Sequence, residues 1–195
     1  VYAFSAQGGG GYGDPLDRAA GDVLEDVLEG LVSEAGARRD YGVVVRAANN
    51  PDGMEVDDAA TVALRLSLRT GRLAGRDPLA REHQRGGRRL SSHFEVRGVA
   101  GKRGDVLCSH CGTRICAEGE GLYQHLTMRE VGAGARFVMG DRYEGSDRFR
   151  LRHFFCPGCA TQVDVQIALT DEPVWENMET LVQGAAGSGG EAKSA

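Results

Sequence analysis

LCSHCGTRIC (residues 107–116) and RHFFCPGCATQ (residues 152–162) each contain two cysteines separated by two residues. A C-x-x-C turn presents two thiolates from one tight loop, and two such turns can close a tetrahedron around one metal ion at Zn–S distances of about 2.3 Å. The clustering of all five cysteines in one third of the chain favours a metal over disulfides. The two turns therefore predict a zinc-ribbon-like domain.

The predicted metal ligands are Cys108, Cys111, Cys156 and Cys159. Four thiolates leave no open coordination position, so the predicted ion is a structural Zn²⁺. A rubredoxin-like iron or an iron–sulfur centre uses the same thiolates and stays as the alternative. A thioredoxin-type redox motif is disfavoured because no βαβ pattern surrounds either pair. The 44 residues between Cys111 and Cys156 exceed the usual ribbon spacing and require a long insertion.

The other cysteine and the histidines are predicted to be non-ligands. Cys116 is interpreted as a small buried residue. Three histidines near the knuckles are candidate outer-sphere donors or alternative ligands, with a non-ligand role favoured for each: His110, His125 and His153. His83 and His93 lie in an arginine-rich stretch and are expected to be solvated.

Composition and periodicity predict an α+β chain with a small helical and strand segment, a linker and an all-β zinc-binding domain. Apolar residues at helical spacing precede Ser33, which with Glu34 is expected to cap a short second helix, and Asp57 and Asp58 are well placed at the start of another helix. The arginine- and glycine-rich stretch has little periodicity and is predicted to be a linker or wrapping arm, a solvated tether in preference to an RNA-binding segment. The predicted parts are residues 1–70, 71–104, 105–180 and a disordered tail at 181–195.

Charge and motif content exclude several function classes. The net charge of −5 disfavours nucleic-acid binding, and no apolar run reaches the roughly 18 residues of a membrane span. The start lacks the features of a signal peptide, so a cytoplasmic location is expected. GGGGYG (residues 8–13) lacks the order of a phosphate-binding loop. No catalytic or cofactor-binding residue is predicted in this chain.

Residues 8 to 70 resemble the C-terminal end of the hydantoinase B/oxoprolinase family. The resemblance rests on GGGGYGDPL, VLEDV, ARRDYGVV and the later VDDAATVALR. That family is the large, metal-dependent partner of the ATP-binding hydantoinase A type subunit, and only its tail is represented here. The resemblance implies a segment that docks on a B-type body through an apolar stripe, with the expected anchors Val23, Val27, Leu28, Leu31 and Leu64.

Residues 105 to 178 resemble the small zinc-containing subunit of acetone carboxylase and acetophenone carboxylase. The resemblance rests on CSHCGTRICAEGEG and on RFRLRHFFCPGCATQVDVQIALTDEPVWENM. These complexes carboxylate a ketone with bicarbonate and ATP, and their large subunits are of the hydantoinase A and B types. The two resemblances therefore imply one hetero-oligomeric assembly, with ATP and any further metal on the large subunits.

Taken together, the resemblances imply an accessory zinc-binding subunit of an ATP-dependent carboxylase of the acetone/acetophenone type. The same subunit types also serve ATP-dependent ring-opening amidohydrolases of the hydantoinase and oxoprolinase kind, which is the first alternative. The second alternative is a free-standing zinc-ribbon binding module, which could act on RNA through the arginine-rich arm, or a small rubredoxin-like iron protein that carries electrons. The binding module predicts a stable monomer with salt-sensitive nucleic-acid binding, and the iron protein predicts visible absorption.

Overall fold

The computed structural model describes residues 13–49, 51, 53–98, 102–132 and 149–176. Within these residues the chain combines three α-helices with three antiparallel sheets, which confirms the predicted α+β class. The glycine-rich start, residues 133–148 of the insertion between the two cysteine pairs and the predicted disordered tail lie outside the described residues. The division of the chain into four domains stays a prediction.

The first part of the chain is mainly helical. A 3-10 turn at Pro15–Asp17 leads into α1 (Ala20–Leu28), α2 (Glu34–Asp40) and α3 (Asp58–Arg72). The predicted cap at Ser33 is confirmed, because its hydroxyl accepts from Gly36 N at 3.1 Å. Of the two aspartates predicted for the start of α3, Asp57 is the N-cap, and its carboxylate accepts from Ala60 N at 2.9 Å. Each cap satisfies an amide at the helix start that has no partner within the helix.

Between α2 and α3, a short hairpin pairs β1 (Val45–Ala47) with β2 (Met54–Val56). The YGVVV run (residues 41–45) has the β-branched composition of a strand, but β1 begins only at its last residue, because Gly42 takes a left-handed backbone conformation with φ +62°. A β-carbon on Gly42 would lie 2.9 Å from the Arg65 side chain of α3. This close approach is how α3 packs over the loop that follows α2.

The small N-terminal core consists of Val23, Ala37 and Val43, which are fully buried against one another. Val23 was expected to anchor a partner, and this expectation is wrong because its side chain is used inside the chain's own core. Leu28 and Leu31 lie beyond this core and stay 41% and 71% exposed. A core of this size gives the segment little independent stability.

A four-stranded antiparallel sheet follows, in the order β3-β4-β5-β6. Its strands are β3 (Arg88–Arg89), β4 (Phe94–Arg97), β5 (Asp105–Cys108) and β6 (Arg114–Ala117). Two of these strands come from the stretch interpreted as a solvated tether, which is a difference from the sequence-based expectation. Phe94 is fully buried and pairs with Cys108, so this stretch is part of the sheet.

The last sheet contains β7 (Thr127–Gly132), β8 (Phe149–Phe155) and β9 (Gln162–Leu169), in that order. The alternating runs RFRLRHFF and TQVDVQIAL thus form β8 and β9. The main core lies between the two larger sheets and includes Phe94, Val106, Ile115, Leu122, Tyr123, Leu126, Phe154 and Val163. No helix in the described part of the chain is long and apolar enough to cross a bilayer.

Candidate metal centre

The first cysteine turn connects β5 to β6. Cys108 N donates to Thr113 O at 2.9 Å, and Gly112 N donates to Cys108 O at 2.9 Å. The second bond requires Gly112 to take a left-handed conformation, with φ +76°. The hairpin therefore folds the Cys108 and Cys111 side chains onto the same side.

The second cysteine turn connects β8 to β9 and repeats the same pattern. Cys156 N donates to Thr161 O at 2.9 Å, and Ala160 N donates to Cys156 O at 3.0 Å. Ala160 occupies the place of Gly112 and is also left-handed, with φ +59°. A left-handed alanine costs about 1–2 kcal/mol, so the surrounding contacts must hold this turn in place.

The two turns face each other and bring four sulfur atoms together. The Sγ atoms of Cys108, Cys111, Cys156 and Cys159 all lie within 4.8 Å of one another. Cys108 Sγ is 3.9 Å from Cys159 Sγ, and Cys111 Sγ is 3.7 Å from Cys156 Sγ. A tetrahedron with Zn–S bonds of about 2.3 Å has edges of about 3.8 Å. The four side chains are thus close enough to bind one metal ion such as zinc.

Among the described residues, three protein groups bond to the sulfurs from outside this cluster. The Thr113 and Thr161 hydroxyls lie 3.1 Å from Cys111 Sγ and Cys159 Sγ respectively, positions from which a hydroxyl donates to a thiolate. Gly158 N donates to Cys156 Sγ at 3.4 Å. Such outer bonds disperse negative charge and fix the direction of the ligand atoms.

Mutual hydrogen bonding divides the four thiols into two pairs. Bonding to Cys108 lowers the pKa of Cys111 and of Cys159, the two residues that also receive threonine hydroxyls. Hydrogen bonding to Cys111 raises the pKa of Cys108, and hydrogen bonding to Cys108 and Cys111 raises the pKa of Cys156. A divalent cation is the natural counter-charge for such a set, because it displaces the remaining protons.

Gly158 allows the two turns to approach closely. A β-carbon on Gly158 would lie 2.0 Å from Thr113 Oγ1 and 3.2 Å from Cys111 Sγ. No side chain larger than hydrogen fits there without moving one turn or the threonine. On the other side of the first turn, a β-carbon on Gly112 would lie 2.6 Å from His83 Nδ1.

Asp14, in the GDPL sequence near the start of the described chain, forms a buried contact with the second turn. Its side chain is fully buried, accepts from Leu16 N at 3.0 Å and caps the 3-10 turn. Its Oδ2 also accepts from Gln162 N at 3.0 Å. Burial raises the pKa of Asp14, but the hydrogen bonds and charges of Arg72 and Arg69 outweigh it, so the pKa falls below its usual value.

Arg72, the last residue of α3, completes this contact. Its Nη1 donates to Asp14 Oδ2 at 2.7 Å and to Ala160 O at 2.9 Å. Its guanidinium lies 4.7 Å from the centroid of the Phe155 ring. A further backbone bond, from Leu79 N to Gly158 O at 2.9 Å, joins the residues after α3 to the same turn. The second cysteine turn is therefore bound directly to the N-terminal segment.

The histidines near the first turn form a chain of hydrogen bonds. His110 Nε2 lies 3.1 Å from His93 Nδ1, and His110 Nδ1 lies 3.1 Å from Arg81 Nη2. Both ring nitrogens of His110 are thus engaged away from the sulfurs. Burial lowers the pKa of His93 and of His110.

The expectation that His83 and His93 are solvated is wrong, since both belong to packed polar contacts. His83 Nε2 lies 3.0 Å from Glu95 Oε1, and the Glu95 side chain is only 3% exposed. Burial raises the pKa of Glu95, but hydrogen bonds from His83 and from the backbone amides of Gly87 and Gly86 outweigh it and lower the pKa to about 2.

The remaining candidates lie apart from the sulfurs. Cys116 is fully buried in the main core outside the four-sulfur cluster, and burial raises its pKa to about 11. His153 Nδ1 lies 3.2 Å from Gln162 Oε1. His125 lies 3.8 Å from a Glu120 carboxylate oxygen.

Sequence reasoning missed Thr113, Thr161 and Asp14. The sequence contains a signal for the two threonines, because both cysteine turns have the pattern C-x-x-C-x-T. No local pattern indicates the role of Asp14, because 148 positions separate it from Gln162.

Comparison with known proteins gives two partial relatives, and no protein-family model matches the chain. The chain is 43% identical over 145 residues to the acetone carboxylase alpha subunit of Xanthobacter autotrophicus, covering 74% of this chain and 15% of that subunit. It is 56% identical over 61 residues to caprolactamase subunit beta of Pseudomonas jessenii, covering 31% of this chain and 10% of that subunit. The chain thus spans less than a sixth of the length of either relative.

The acetone carboxylase match crosses the predicted segment boundaries. A span of 145 residues in a chain of 195 leaves 50 outside, so it must contain residues 51 to 145. It therefore includes the whole arginine-rich stretch and the first cysteine turn. The named relative is an alpha subunit, and the resemblance of residues 105 to 178 to a small zinc-containing subunit stays a prediction.

Proposed function

We propose that this chain is the accessory zinc-binding part of a multisubunit, ATP-dependent carboxylase of the acetone/acetophenone type. The observation that carries the proposal is the similarity to an acetone carboxylase alpha subunit over 74% of the chain. In this proposal the chain assembles with hydantoinase A-type and B-type large subunits in the cytoplasm. Those subunits bind ATP and carboxylate the ketone with bicarbonate.

The proposed ligands of the zinc are Cys108, Cys111, Cys156 and Cys159. The sulfur–sulfur distances of 3.7 and 3.9 Å support a single ion, because an iron–sulfur cluster places thiolates on different iron atoms and separates them further. Four thiolates complete a tetrahedral shell and leave no position for a substrate or a reactive water. The role of the metal is therefore structural.

The contacts around the metal centre suggest what this structural role is. The zinc fixes the second cysteine turn, and that turn provides Ala160 O and Gln162 N to the Arg72–Asp14 pair. A helical segment with a small core is thus held by a rigid, metal-stabilised ribbon. We infer that the ribbon braces residues 13–72 so that they can pack against the large subunits.

A second candidate, an ATP-dependent ring-opening amidohydrolase, is favoured by the 56% identity to a caprolactamase subunit. Its match covers 31% of the chain, against 74% for the carboxylase relative, which is why the carboxylase is preferred. The same architecture serves either reaction, since the substrate is bound elsewhere in the assembly.

The test is to purify the tagged chain from its native source under mild conditions and to measure native mass, bound metals and two activities. The proposal expects large subunits to co-purify, about one zinc per chain, and ATP-dependent incorporation of labelled bicarbonate into acetone or acetophenone. ATP-dependent hydrolysis of caprolactam without ketone carboxylation would favour the second candidate. A lone monomer would contradict both, and a coloured iron-containing species would contradict the zinc assignment.

A further inference from the structure

Residues 79–83 form a strap that joins the two cysteine turns through the backbone. Leu79 N donates to Gly158 O at 2.9 Å, and His83 N donates to His110 O at 3.1 Å. Gly158 and His110 hold equivalent positions, because each is the third residue of its C-x-x-C turn. Each end of the strap is therefore bound to one of the two turns that carry the metal ligands.

Arg81, the middle residue of the strap, is also held beside the metal centre by its side chain. Its Nη2 donates to Asp17 Oδ2 at 2.7 Å and lies 3.1 Å from His110 Nδ1. Because an arginine side chain only donates, His110 Nδ1 accepts this bond and the His110 ring is neutral. Arg81 therefore brings to the first cysteine turn a positive charge that His110 does not supply.

Four thiolates around one Zn²⁺ leave two negative charges in excess. The groups that bond to the sulfurs, the Thr113 and Thr161 hydroxyls and Gly158 N, are neutral, so they disperse this charge without cancelling it. Three of the four ligands are buried, where an uncompensated charge is costly. A positive charge close to the sulfurs therefore stabilises the metal-bound centre.

The ion pairs beside the strap have positive charge to spare. Three guanidinium groups share the carboxylates of Asp14 and Asp17, and they belong to Arg69, Arg72 and Arg81. In addition, Arg81 Nε is buried and has no hydrogen-bond partner among the described residues. The two carboxylates thus do not neutralise all three arginines.

The charge of Arg81 acts on the sulfur cluster itself. A hydrogen bond to Asp17 raises the pKa of Arg81, and negative charge on Cys159 raises it further. Arg85 also donates to the first turn, to Ser109 O at 3.4 Å, but Arg85 is exposed and water weakens its field. Of these two arginines, Arg81 is the better placed to stabilise thiolates.

We propose that Arg81 is the counter-charge of the metal centre, held by the strap where its guanidinium stabilises four thiolates bound to a divalent cation. This inference rests on the proposed zinc ligands and adds to them a residue that acts through its charge without touching the metal. The cysteine pattern does not indicate it, because Arg81 lies in the arginine-rich stretch and outside both turns.

The first test is the zinc affinity of the full chain, measured by competition with a chromogenic chelator. Arg81→Gln is expected to lower the affinity by about tenfold or more, as for the loss of an outer-sphere partner. Arg81→Lys keeps the charge but not the two-bond contact with Asp17, so its affinity should stay within about threefold of that of the unchanged chain. Equal losses in Arg81→Gln and Arg81→Lys would overturn the proposal.

Arg18→Gln is the matched control. It removes an ion pair of comparable exposure, that of Arg18 with Asp26, which lies within the helical segment. The zinc affinity of this variant should change by less than about twofold. A loss as large as that of Arg81→Gln would show that any broken ion pair weakens the centre, which would contradict a special role for Arg81.

The second test separates charge from structure. Zinc is replaced by iron in vitro, and the midpoint potential of the one-electron couple is followed by visible absorption. The reduced centre carries one more negative charge, so Arg81→Gln should lower the potential by about 59 mV, the equivalent of a tenfold change in the ratio of oxidised to reduced iron. Arg81→Lys should restore most of this shift. An unchanged potential in Arg81→Gln would overturn the proposal even if zinc affinity falls, because the contact would then be structural only.

Two outcomes separate this inference from the centre on which it rests. If the unchanged chain binds zinc and Arg81→Gln binds it equally well, Arg81 is not the counter-charge and the zinc centre stands. If the unchanged chain binds no zinc, both are wrong.

Discussion

Replacement of Gly158 by alanine is expected to disrupt the metal centre. The added β-carbon would lie 2.0 Å from Thr113 Oγ1 and 3.0 Å from Thr113 Cβ. The hydroxyl must therefore move by about 1 Å or more, whereas metal–ligand distances in a working site vary by only about 0.2 Å. Either Thr113 rotates and its bond to Cys111 Sγ is lost, or the two cysteine turns separate.

Both routes weaken metal binding by a comparable amount. Loss of an outer-sphere partner costs about 10- to 100-fold in metal affinity, and overpacking costs about 1–3 kcal/mol of folding free energy. We therefore expect Gly158→Ala to lower zinc affinity at least tenfold, measured by competition with a chromogenic chelator. Gly71→Ala is the matched control, because no atom lies within 4 Å of its added β-carbon and the change favours helix α3 by about 1 kcal/mol.

A double variant tests the geometry directly. Thr113→Ala removes the atom at 2.0 Å and leaves the one at 3.0 Å, so it should recover part of the affinity lost in Gly158→Ala. The recovered affinity should approach that of Thr113→Ala alone, which lacks only the hydroxyl bond. Zinc binding by Gly158→Ala within twofold of the unchanged chain, or purely additive effects of the two substitutions, would refute the described packing of the turns.

Three further substitutions test the surroundings of the metal centre. Asp14→Asn leaves Arg72 buried without its counter-charge, so it should lower the free energy of unfolding by about 3–5 kcal/mol in a denaturant titration. A loss under about 1 kcal/mol would contradict the buried ion pair. Contacts such as that with His83 lower the pKa of the Glu95 carboxyl in the folded chain to about 2. The unchanged chain should therefore have a larger free energy of unfolding than Glu95→Gln above about pH 4.5, and this difference should disappear as the pH falls toward about 2. A difference that persists at pH 2 would argue against the lowered pKa. Cys116→Ala should retain the full metal content and lose about 1 kcal/mol of stability, and loss of metal would instead make Cys116 a ligand.

Local sequence signals predicted the parts of the structure that depend on neighbouring residues. The two cysteine turns, the cap by Ser33 and the cap by Asp57 each involve bonds that span only a few positions. Strands β8 and β9 have alternation over seven and eight residues, which is long enough to recognise. The predictions of an α+β fold and of two cysteine pairs that share one site followed from these local signals.

Parts that depend on distant residues could not be predicted in this way. Strands β3 and β4 contain two and four residues within an arginine-rich stretch, too few to show a period. The inward direction of Arg69 and Arg72 depends on Asp14, more than 50 positions away, so no local pattern indicates it.

The Asp14 contact connects the candidate metal centre to the helical segment. The N-terminal core contains three fully buried apolar side chains, and such a core contributes too little burial to hold three helices by itself. Structural zinc contributes about 10–16 kcal/mol in small ribbons, but only to residues that are bound to the metal-containing fold. Arg72 and Asp14 make that connection, because both bond directly to the residues that follow Cys159. The free energy of metal binding can therefore stabilise α3 through its last residue, Arg72.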